Sequence, residues 1–218
     1  VGAAVGVHQH RSVGLDHQDP GGHGQVGGQP AGVVDLAARY DESHGRRIYS
    51  GRMHTPRAAR AADLARIQAI EDSGVPLFEE AFGDLRGDPL GAPGERGRDR
   101  VDEPGFLLVV GPVGEPVGFA HVTYVEGLAH LAQLSVLPAH ARQGLGSALV
   151  RAAMREAWHD GHDDMTLTTY RDLPWNAPFY ARLGFAEVVD GAVGGSFLAR
   201  QRAHEQALGL DRHGPRIA

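Results

Sequence analysis

The 218-residue chain contains neither cysteine nor lysine, and each absence excludes a group of functions. Without cysteine the chain can form no disulfide and no thiolate metal site, and it has no cysteine nucleophile. A group transfer must then use another nucleophile or go directly to the acceptor. Without lysine, the Gly-Lys-Ser/Thr sequence of a nucleotide P-loop is excluded. All 21 basic residues are arginines, which we attribute to the codon usage of a GC-rich genome.

Long apolar runs and dense basic runs are also missing. No apolar run approaches the roughly 18 residues needed to span a bilayer, and the N-terminus shows no signal-peptide pattern. We therefore expect a soluble cytoplasmic protein without membrane contact. The net charge is −6, and the absence of a basic stretch argues against a nucleic-acid partner. The acidic balance weakly favours a cationic partner such as an amine.

Residues 1–52 differ from the rest of the chain, because they hold 11 of the 31 glycines and 5 of the 13 histidines. They show no sustained apolar period, so they cannot bury enough surface to offset the entropy of ordering. We expect disorder or an upstream extension, with Met53 as a plausible start and a folded domain over 53–218. The alternative is a metal-binding tract carried by four irregularly spaced histidines: His8, His10, His17 and His23. The tract has no carboxylate or cysteine partners, so we predict no metal site.

The apolar pattern predicts an α+β (mixed α/β) domain, in which a hairpin is followed by strand–helix–strand units. Helices are predicted over 59–70, 76–82, 144–158, 176–183 and 197–208. Strands are predicted over 106–110, 117–125, 129–137, 165–169, 185–189 and 216–218. Residues 83–104 are rich in Gly, Pro, Asp and Arg, and we interpret them as a long exposed loop over a substrate site.

A first motif, Arg142-Gln143-Gly144-Leu145-Gly146-Ser147, lies where a predicted strand passes into a helix. Its two glycines let a ligand approach the backbone, and the free N–H groups of a first helical turn suit a phosphate. Arg142 and Ser147 can add donors. A dinucleotide fingerprint would need a third glycine where Leu149 stands. The competing interpretation is a tight turn with small residues for packing.

A second motif lies roughly 35 residues further on and contains Asn176, Tyr180 and Gly184-Phe185. Taken by itself, Tyr180 is a packing aromatic with a wet hydroxyl. The two motifs in this order resemble the GNAT superfamily of N-acetyltransferases, with its Q/R-x-x-G-x-G/A loop and its N-x-x-x-Y-x-x-x-G-F segment. The resemblance extends from about Met53 to Val189.

The resemblance implies a central mixed sheet flanked by helices, with splayed fourth and fifth strands and acetyl-CoA as the acyl donor. An amine would attack the thioester directly, a strand N–H near Val136 would hold the oxyanion, and Tyr180 would protonate the departing thiolate. The residues implied in cofactor binding are Leu134, Ser135 and Val136 for the pantetheine arm, Arg142, Gln143, Gly144, Leu145, Gly146 and Ser147 for the pyrophosphate, and Asn176.

Three departures from the family pattern affect the site. The predicted strand 129–137 carries no carboxylate, so the candidates for the general base are His130, His121 and Glu126, with a water chain as the alternative. Ala141 occupies the Q/R position of the loop, where Arg142 would take over the phosphate contact. The last strand, over 216–218, is either short or completed by a second copy in a homodimer.

Two functions follow from these motifs, and the acceptor is not identified. The first is an N-acetyltransferase that moves an acetyl group to an amine of a small molecule or protein. The second is a non-catalytic acyl-CoA-binding regulatory module. The missing strand carboxylate favours the module, whereas Tyr180 and Asn176 favour the enzyme. An interaction domain without a cofactor would make the paired motifs a coincidence.

Overall fold

A six-stranded sheet forms the centre of the computed structural model, which describes residues 34–35, 55–188 and 195–218. The predictions for 1–52, including the four histidines, fall outside the described residues apart from 34–35. The strands are β1 (Val34–Asp35), β2 (Arg57–Ala58), β3 (Gly105–Val110), β4 (Gly118–Val125), β5 (Leu128–Val136) and β6 (Asp164–Thr166). Their order is β1-β6-β5-β4-β3-β2, and only the pair β5–β6 is parallel. This mixed sheet confirms the predicted fold class.

Two short strands, β7 (Thr169–Tyr170) and β8 (Arg216–Ile217), pair antiparallel beside this sheet. The predicted strand at 165–169 is thus interrupted, and the predicted terminal strand is present within the chain itself. The predicted strand at 185–189 is wrong for residues 185–188, which are irregular, while Val189 lies outside the described residues. Phe185 turns into the core, and Val188 N–H makes a single bond to the Ala218 carbonyl in place of a ladder.

The helices are α1 (Leu64–Asp72), α2 (Val75–Phe82), α3 (Gly97–Val101), α4 (Leu145–His159), α5 (Ala177–Ala181) and α6 (Gly195–Ala207). None of those in the described part of the chain is both long and apolar enough to cross a bilayer. The first helix begins five residues later than predicted, because Arg57–Ala58 pair with β3. The buried Asp63 carboxylate then holds the turn by accepting bonds from Arg57, Arg60 N–H and Gly114 N–H.

The segment 83–104 is more ordered and more buried than the predicted exposed loop. It contains a 3-10 turn at Pro89–Gly91 as well as α3, and its Leu85, Leu90 and Arg100 are buried. Glycine makes this packing feasible, since a Cβ at Gly97 would lie 2.5 Å from the Leu64 carbonyl oxygen. The composition predicted an exposed loop, whereas the close approach of Gly97 to α1 lets the segment pack against the domain.

The two faces of the sheet differ in character. One face packs against α4 through an apolar core that includes Ala120, Val122 and Leu134. The opposite face packs against α1 through Phe119 and neighbouring apolar residues. Along β4 and β5 this second face becomes polar, and its buried polar residues are His121, Thr123, His130, Gln133 and Ser135. Polar side chains buried in this way are typical of a functional site.

Candidate active site

Strands β5 and β6 diverge after a short paired stretch, as the fold prediction required. They pair only at Ala129–Met165 and His130–Thr166, so within the described residues the outer edge of β5 has no strand partner beyond that point. A one-residue bulge on β5 follows, because Gln133 lies opposite His121 and Leu131 lies opposite Val122. The result is an opening in the sheet between two parallel strands.

The backbone of β5 presents polar groups to this opening. Leu137 N–H donates to the Val117 carbonyl at 2.9 Å, on the β4 side. Because backbone groups alternate along a strand, the N–H and C=O groups of Val136 and Leu134 point the other way, into the opening. The Ser135 backbone therefore faces β4, while its hydroxyl accepts a bond from the Gln133 amide at 3.0 Å.

The glycine loop follows β5 after a 3-10 turn at Pro138–His140. Arg142 (φ 59°) and Gly144 (φ 79°) both adopt left-handed conformations, and α4 begins immediately after Gly144. Left-handed residues at a helix start turn successive N–H groups towards a common point, where the positive end of the helix dipole favours an anion. The loop therefore has the geometry of a phosphate site.

A cavity of about 410 Å³ lies over this loop. Its lining includes Ala141 and Arg142 from the loop, Leu77 from α2, and Phe179 and Arg182 at α5. Arg182 was not predicted from the sequence; it brings a second cation to the cavity, where the Q/R position holds Ala141. The signal was weak, because a solvated arginine two residues after Tyr180 carries no distinctive pattern.

Asn176 is fully buried, and neither atom of its side-chain amide has a hydrogen-bond partner among the described residues. Its backbone carbonyl accepts from Phe179 N–H at 2.8 Å, which fixes the residue at the start of α5. A buried amide without partners costs about 1–3 kcal/mol. Such a group is accounted for when a ligand supplies the missing donor and acceptor.

Tyr180 is also buried, and its hydroxyl has no partner among the described residues. Its ring packs between Phe179 and Phe185, with centroids at 5.0 and 5.7 Å. It lines a second cavity of about 270 Å³ together with Leu167 and Ile217. Burial raises the pKa of Tyr180 well above its usual range, so the phenol stays protonated at neutral pH.

His130 stands at the last paired position of β5 and β6. Its Nδ1 lies 2.9 Å from the Thr166 hydroxyl, and its ring meets Phe197 of α6 edge-on at 4.9 Å. Burial lowers the pKa of His130 to about 4. The imidazole is therefore neutral at pH 7 and weakly basic, which argues against the predicted role as general base.

The other two candidate bases lie in different surroundings. Glu126 sits in the exposed turn before β5 and pairs with Arg200 of α6, at the end of the strand away from the glycine loop. The structure therefore does not bring Glu126 to Tyr180 or to the loop. His121 is buried on β4, where burial and the Arg100 guanidinium lower the pKa of the imidazole to about 3.

Comparison with known proteins identifies this architecture. The profile of the acetyltransferase (GNAT) family matches residues 68–185, which is more than half of the chain. The protein therefore belongs to the GNAT acetyltransferase family. As a member it is an acyl-CoA-dependent acetyltransferase, with acetyl-CoA as its acyl donor.

Solved structures of several acyltransferases are similar to this chain. N-acetylglutamate synthase from Neisseria gonorrhoeae, complexed with coenzyme A and N-acetylglutamate, is 19% identical with a TM-score of 0.50, over 70% of this chain and 32% of that one. The ribosomal-protein-S18-alanine N-acetyltransferase of Escherichia coli is 23% identical with a TM-score of 0.45. The match covers 62% of this chain and 79% of that one. A GNAT family acetyltransferase from Brucella melitensis, in complex with acetyl-CoA, is 20% identical with a TM-score of 0.43. The match covers 59% of this chain and 80% of that one.

Proposed function

We propose that the protein transfers the acetyl group of acetyl-CoA directly to an amine of a small molecule or a protein. The observation that carries this proposal is the outer edge of β5 beyond His130, which has no strand partner among the described residues and leads through Val136 to the glycine loop. An extended thioester arm laid along that edge would have its phosphates at the loop. The absence of cysteine supports direct transfer, because it excludes a cysteine-bound acyl intermediate.

The chain's own groups provide complementary contacts for the donor. Backbone N–H and C=O groups of Leu134 and Val136 face the opening, and we expect the N–H groups of 142–147 to bind the phosphates with help from Arg182. The Asn176 amide, which has no partner among the described residues, can add its NH2 as a donor and its oxygen as an acceptor. We expect Ser135 to act through its packing, since its backbone faces β4.

Acetyl-CoA supplies an activated acetyl thioester, and the protein supplies orientation and a proton. We expect the N–H of Val136 to donate to an oxygen that gains negative charge in the opening. Tyr180, held protonated by burial, donates at the leaving sulfur. Its raised pKa makes it a weaker acid than free tyrosine, so hydrogen bonding to the sulfur contributes together with proton transfer.

The amine proton leaves by solvent in this proposal. The pKa of His130 is too low for an effective base at neutral pH, and Glu126 is held by Arg200 at the far end of β5. The same observation favours a second function, namely a regulatory module that binds acyl-CoA without turnover. The two functions differ in whether coenzyme A is released as a leaving group, whose sulfur Tyr180 would protonate.

A two-stage experiment separates these functions. Thermal unfolding with and without acetyl-CoA tests the donor site, because a ligand that binds only the folded state raises its stability. Thiol release is then measured over a panel of primary amines. A thermal shift followed by amine-dependent thiol release is the expected result. A shift without release would favour the regulatory module, and no shift at millimolar acetyl-CoA would contradict both.

A further inference from the structure

Thr169 of β7 lines the cavity of about 270 Å³ that Tyr180 also lines. Its side chain is only 2% exposed, and its hydroxyl has no hydrogen-bond partner among the described residues. The Tyr180 hydroxyl is in the same condition. Buried polar side chains nearly always have a partner, so two such groups on one cavity call for a partner from outside the chain.

The rest of the cavity offers these hydroxyl groups little to bond. Its walls include the apolar side chains of Leu167, Phe185 and Ile217. The two charged residues of the lining, Arg171 and Glu187, are exposed and form an ion pair with each other. The cavity is therefore apolar in its interior, apart from the two hydroxyl groups.

The preceding residue, Thr168, shows the opposite situation. Consecutive residues along a strand point to opposite faces of the sheet, and the contacts of the two threonines follow this rule. Thr168 is also buried, but its hydroxyl donates to Glu205 of α6 at 2.6 Å. Thr169 instead shares its side with Leu167, in the wall of the cavity beside α5. A partner for the Thr169 hydroxyl must therefore enter from the cavity.

The location of Thr169 connects it with the donor. After the pair His130–Thr166 the chain continues through Leu167 into β7, so this stretch forms the side of the opening that faces β5. Leu134 of β5, Leu167 and Tyr180 belong to one buried cluster. A ligand extended along the outer edge of β5 would thus pass beside the residues that line the cavity.

We propose that the Thr169 hydroxyl hydrogen-bonds the amide of the acetyl-CoA arm that lies nearest the sulfur. The inference rests on the proposed function, which places the sulfur at Tyr180. In coenzyme A two methylene groups join the sulfur to that amide, so a sulfur beside Tyr180 brings the amide to the cavity that both residues line. A hydroxyl can donate to the amide carbonyl or accept from the amide N–H. Thr169 is then a donor-binding residue with no part in proton transfer.

Two substitutions separate the hydroxyl from the rest of the side chain. Thr169→Val keeps the shape and removes the hydroxyl, whereas Thr169→Ser keeps the hydroxyl and removes the methyl group. We expect the Kd for coenzyme A, from calorimetric titration, to rise about 10-fold in Thr169→Val and to stay within about three-fold in Thr169→Ser. An unchanged Kd in Thr169→Val, or an equal rise in both variants, would overturn the proposal.

Thermal unfolding without ligand distinguishes donor binding from a structural role. Because the Thr169 hydroxyl has no partner among the described residues, Thr169→Val should have the Tm of the wild type or a higher one. A lower Tm would show that the hydroxyl has a partner in the free protein and would contradict the proposal.

Thr168→Val is the matched control on the other face of the sheet. Its Tm should fall, because the buried Glu205 carboxylate loses a donor, while its Kd for coenzyme A should stay within about two-fold of the wild type. The two adjacent threonines are thus expected to show opposite patterns of stability and affinity. An equal loss of affinity in Thr168→Val and Thr169→Val would count against a specific contact at Thr169.

Adenosine 3′,5′-bisphosphate, the nucleotide end of coenzyme A without its arm, locates the effect. It should bind Thr169→Val and the wild type equally, since the contact is to the arm. A Kd that rises as much as the Kd for coenzyme A would overturn the proposal.

Steady-state thiol release gives a further readout. Thr169→Val should raise KM for acetyl-CoA about 10-fold and leave kcat within about two-fold, because the contact is the same in the ground state and the transition state. A fall in kcat with an unchanged KM would contradict this role. Failure of the proposed function appears separately in the wild type, as the absence of a thermal shift with acetyl-CoA or of amine-dependent thiol release.

Discussion

His130 and Thr166 face each other at the last paired position of β5 and β6, with the imidazole Nδ1 2.9 Å from the threonine hydroxyl. Both side chains are buried. Beyond this pair the strands separate and the opening beside β5 begins. The contact therefore marks the point at which the sheet opens. The protonation state of His130 matters for the stability of the fold.

The first prediction concerns this histidine and pH. The pKa of His130 is about 4 in the folded protein, against an ordinary value of 6.5, so below pH 6.5 the unfolded chain binds a proton that the folded chain does not. The contribution of His130 to stability is therefore present above pH 6.5 and is lost as pH falls towards 4, by up to about 3 kcal/mol.

Urea unfolding of the wild type and of His130→Asn at several pH values measures this contribution. The variant should lose less stability on acidification because it lacks the His130 imidazole. It should still lose some, because His121, whose pKa is lowered in the same direction, is present in both proteins. His204→Asn, on the exposed side of α6, is the control. Parallel stability curves for wild type and His130→Asn would contradict the assignment.

Tyr180→Phe tests the proton donor. We expect kcat to fall about 10²-fold or more, since general acid catalysis contributes roughly 10²–10⁴-fold, while the affinity for acetyl-CoA stays nearly constant. Tyr124→Phe removes a hydroxyl that bonds Asp160 near the end of α4, and it should leave kcat unchanged. Unaltered turnover in Tyr180→Phe would remove Tyr180 from the mechanism.

Asn176→Leu separates a binding role from a structural one. Because both amide atoms lack partners among the described residues, an apolar side chain of similar size should leave the free protein as stable or stabilise it by about 1 kcal/mol. Affinity for acetyl-CoA should fall about 10-fold. Thermal unfolding and equilibrium titration give the two values. Lower stability with unchanged affinity is the result that would count against the role of Asn176.

Gly144→Ala tests the backbone of the phosphate loop. A Cβ there meets no atom within 4 Å, so the cost comes from φ +79° and should be about 1 kcal/mol. The change should also weaken acetyl-CoA binding, because the loop N–H groups depend on this conformation. Gly161→Ala has a similar φ of +89° and similar free space after α4. Gly161→Ala should show the same loss of stability with normal acetyl-CoA affinity. Equal acetyl-CoA affinity in the two variants would exclude a binding role for the loop.

The last prediction concerns the pair Glu205–Arg216, in which both side chains are fully buried. Arg216 donates to both carboxylate oxygens, at 2.9 and 2.6 Å, and thereby ties β8 to α6. Arg216→Leu should cost about 3–5 kcal/mol, because it leaves a buried carboxylate without this partner. The double variant with Glu205→Leu should regain part of the loss in urea unfolding. A double variant less stable than Arg216→Leu would contradict this account.

The sequence predicted the regular elements well where one residue pattern dominated. The alternation in 117–125 and the apolar period after Gly144 gave β4 and α4 to within about a residue. Predictions failed where a distant contact decided the outcome. Phe185 begins an apolar stretch typical of a strand, yet its ring belongs to the core and the chain after it makes one bond to Ala218. The prediction of an exposed loop over 83–104 was wrong because Gly97 permits close packing on α1.

The sequence by itself determined that the glycine loop and Asn176–Tyr180 are present at the spacing of the family's motifs, and it predicted the donor side of the site from them, since these are local patterns that depend on short spacings. The tertiary structure alone decided which polar residues meet. It placed His130 against Thr166 with a lowered pKa, paired Glu126 with Arg200 away from the loop, and assembled Glu71, Arg100 and His121 from three separate elements. Burial and the approach of distant charges set those properties, and neither can be read from spacing along a chain.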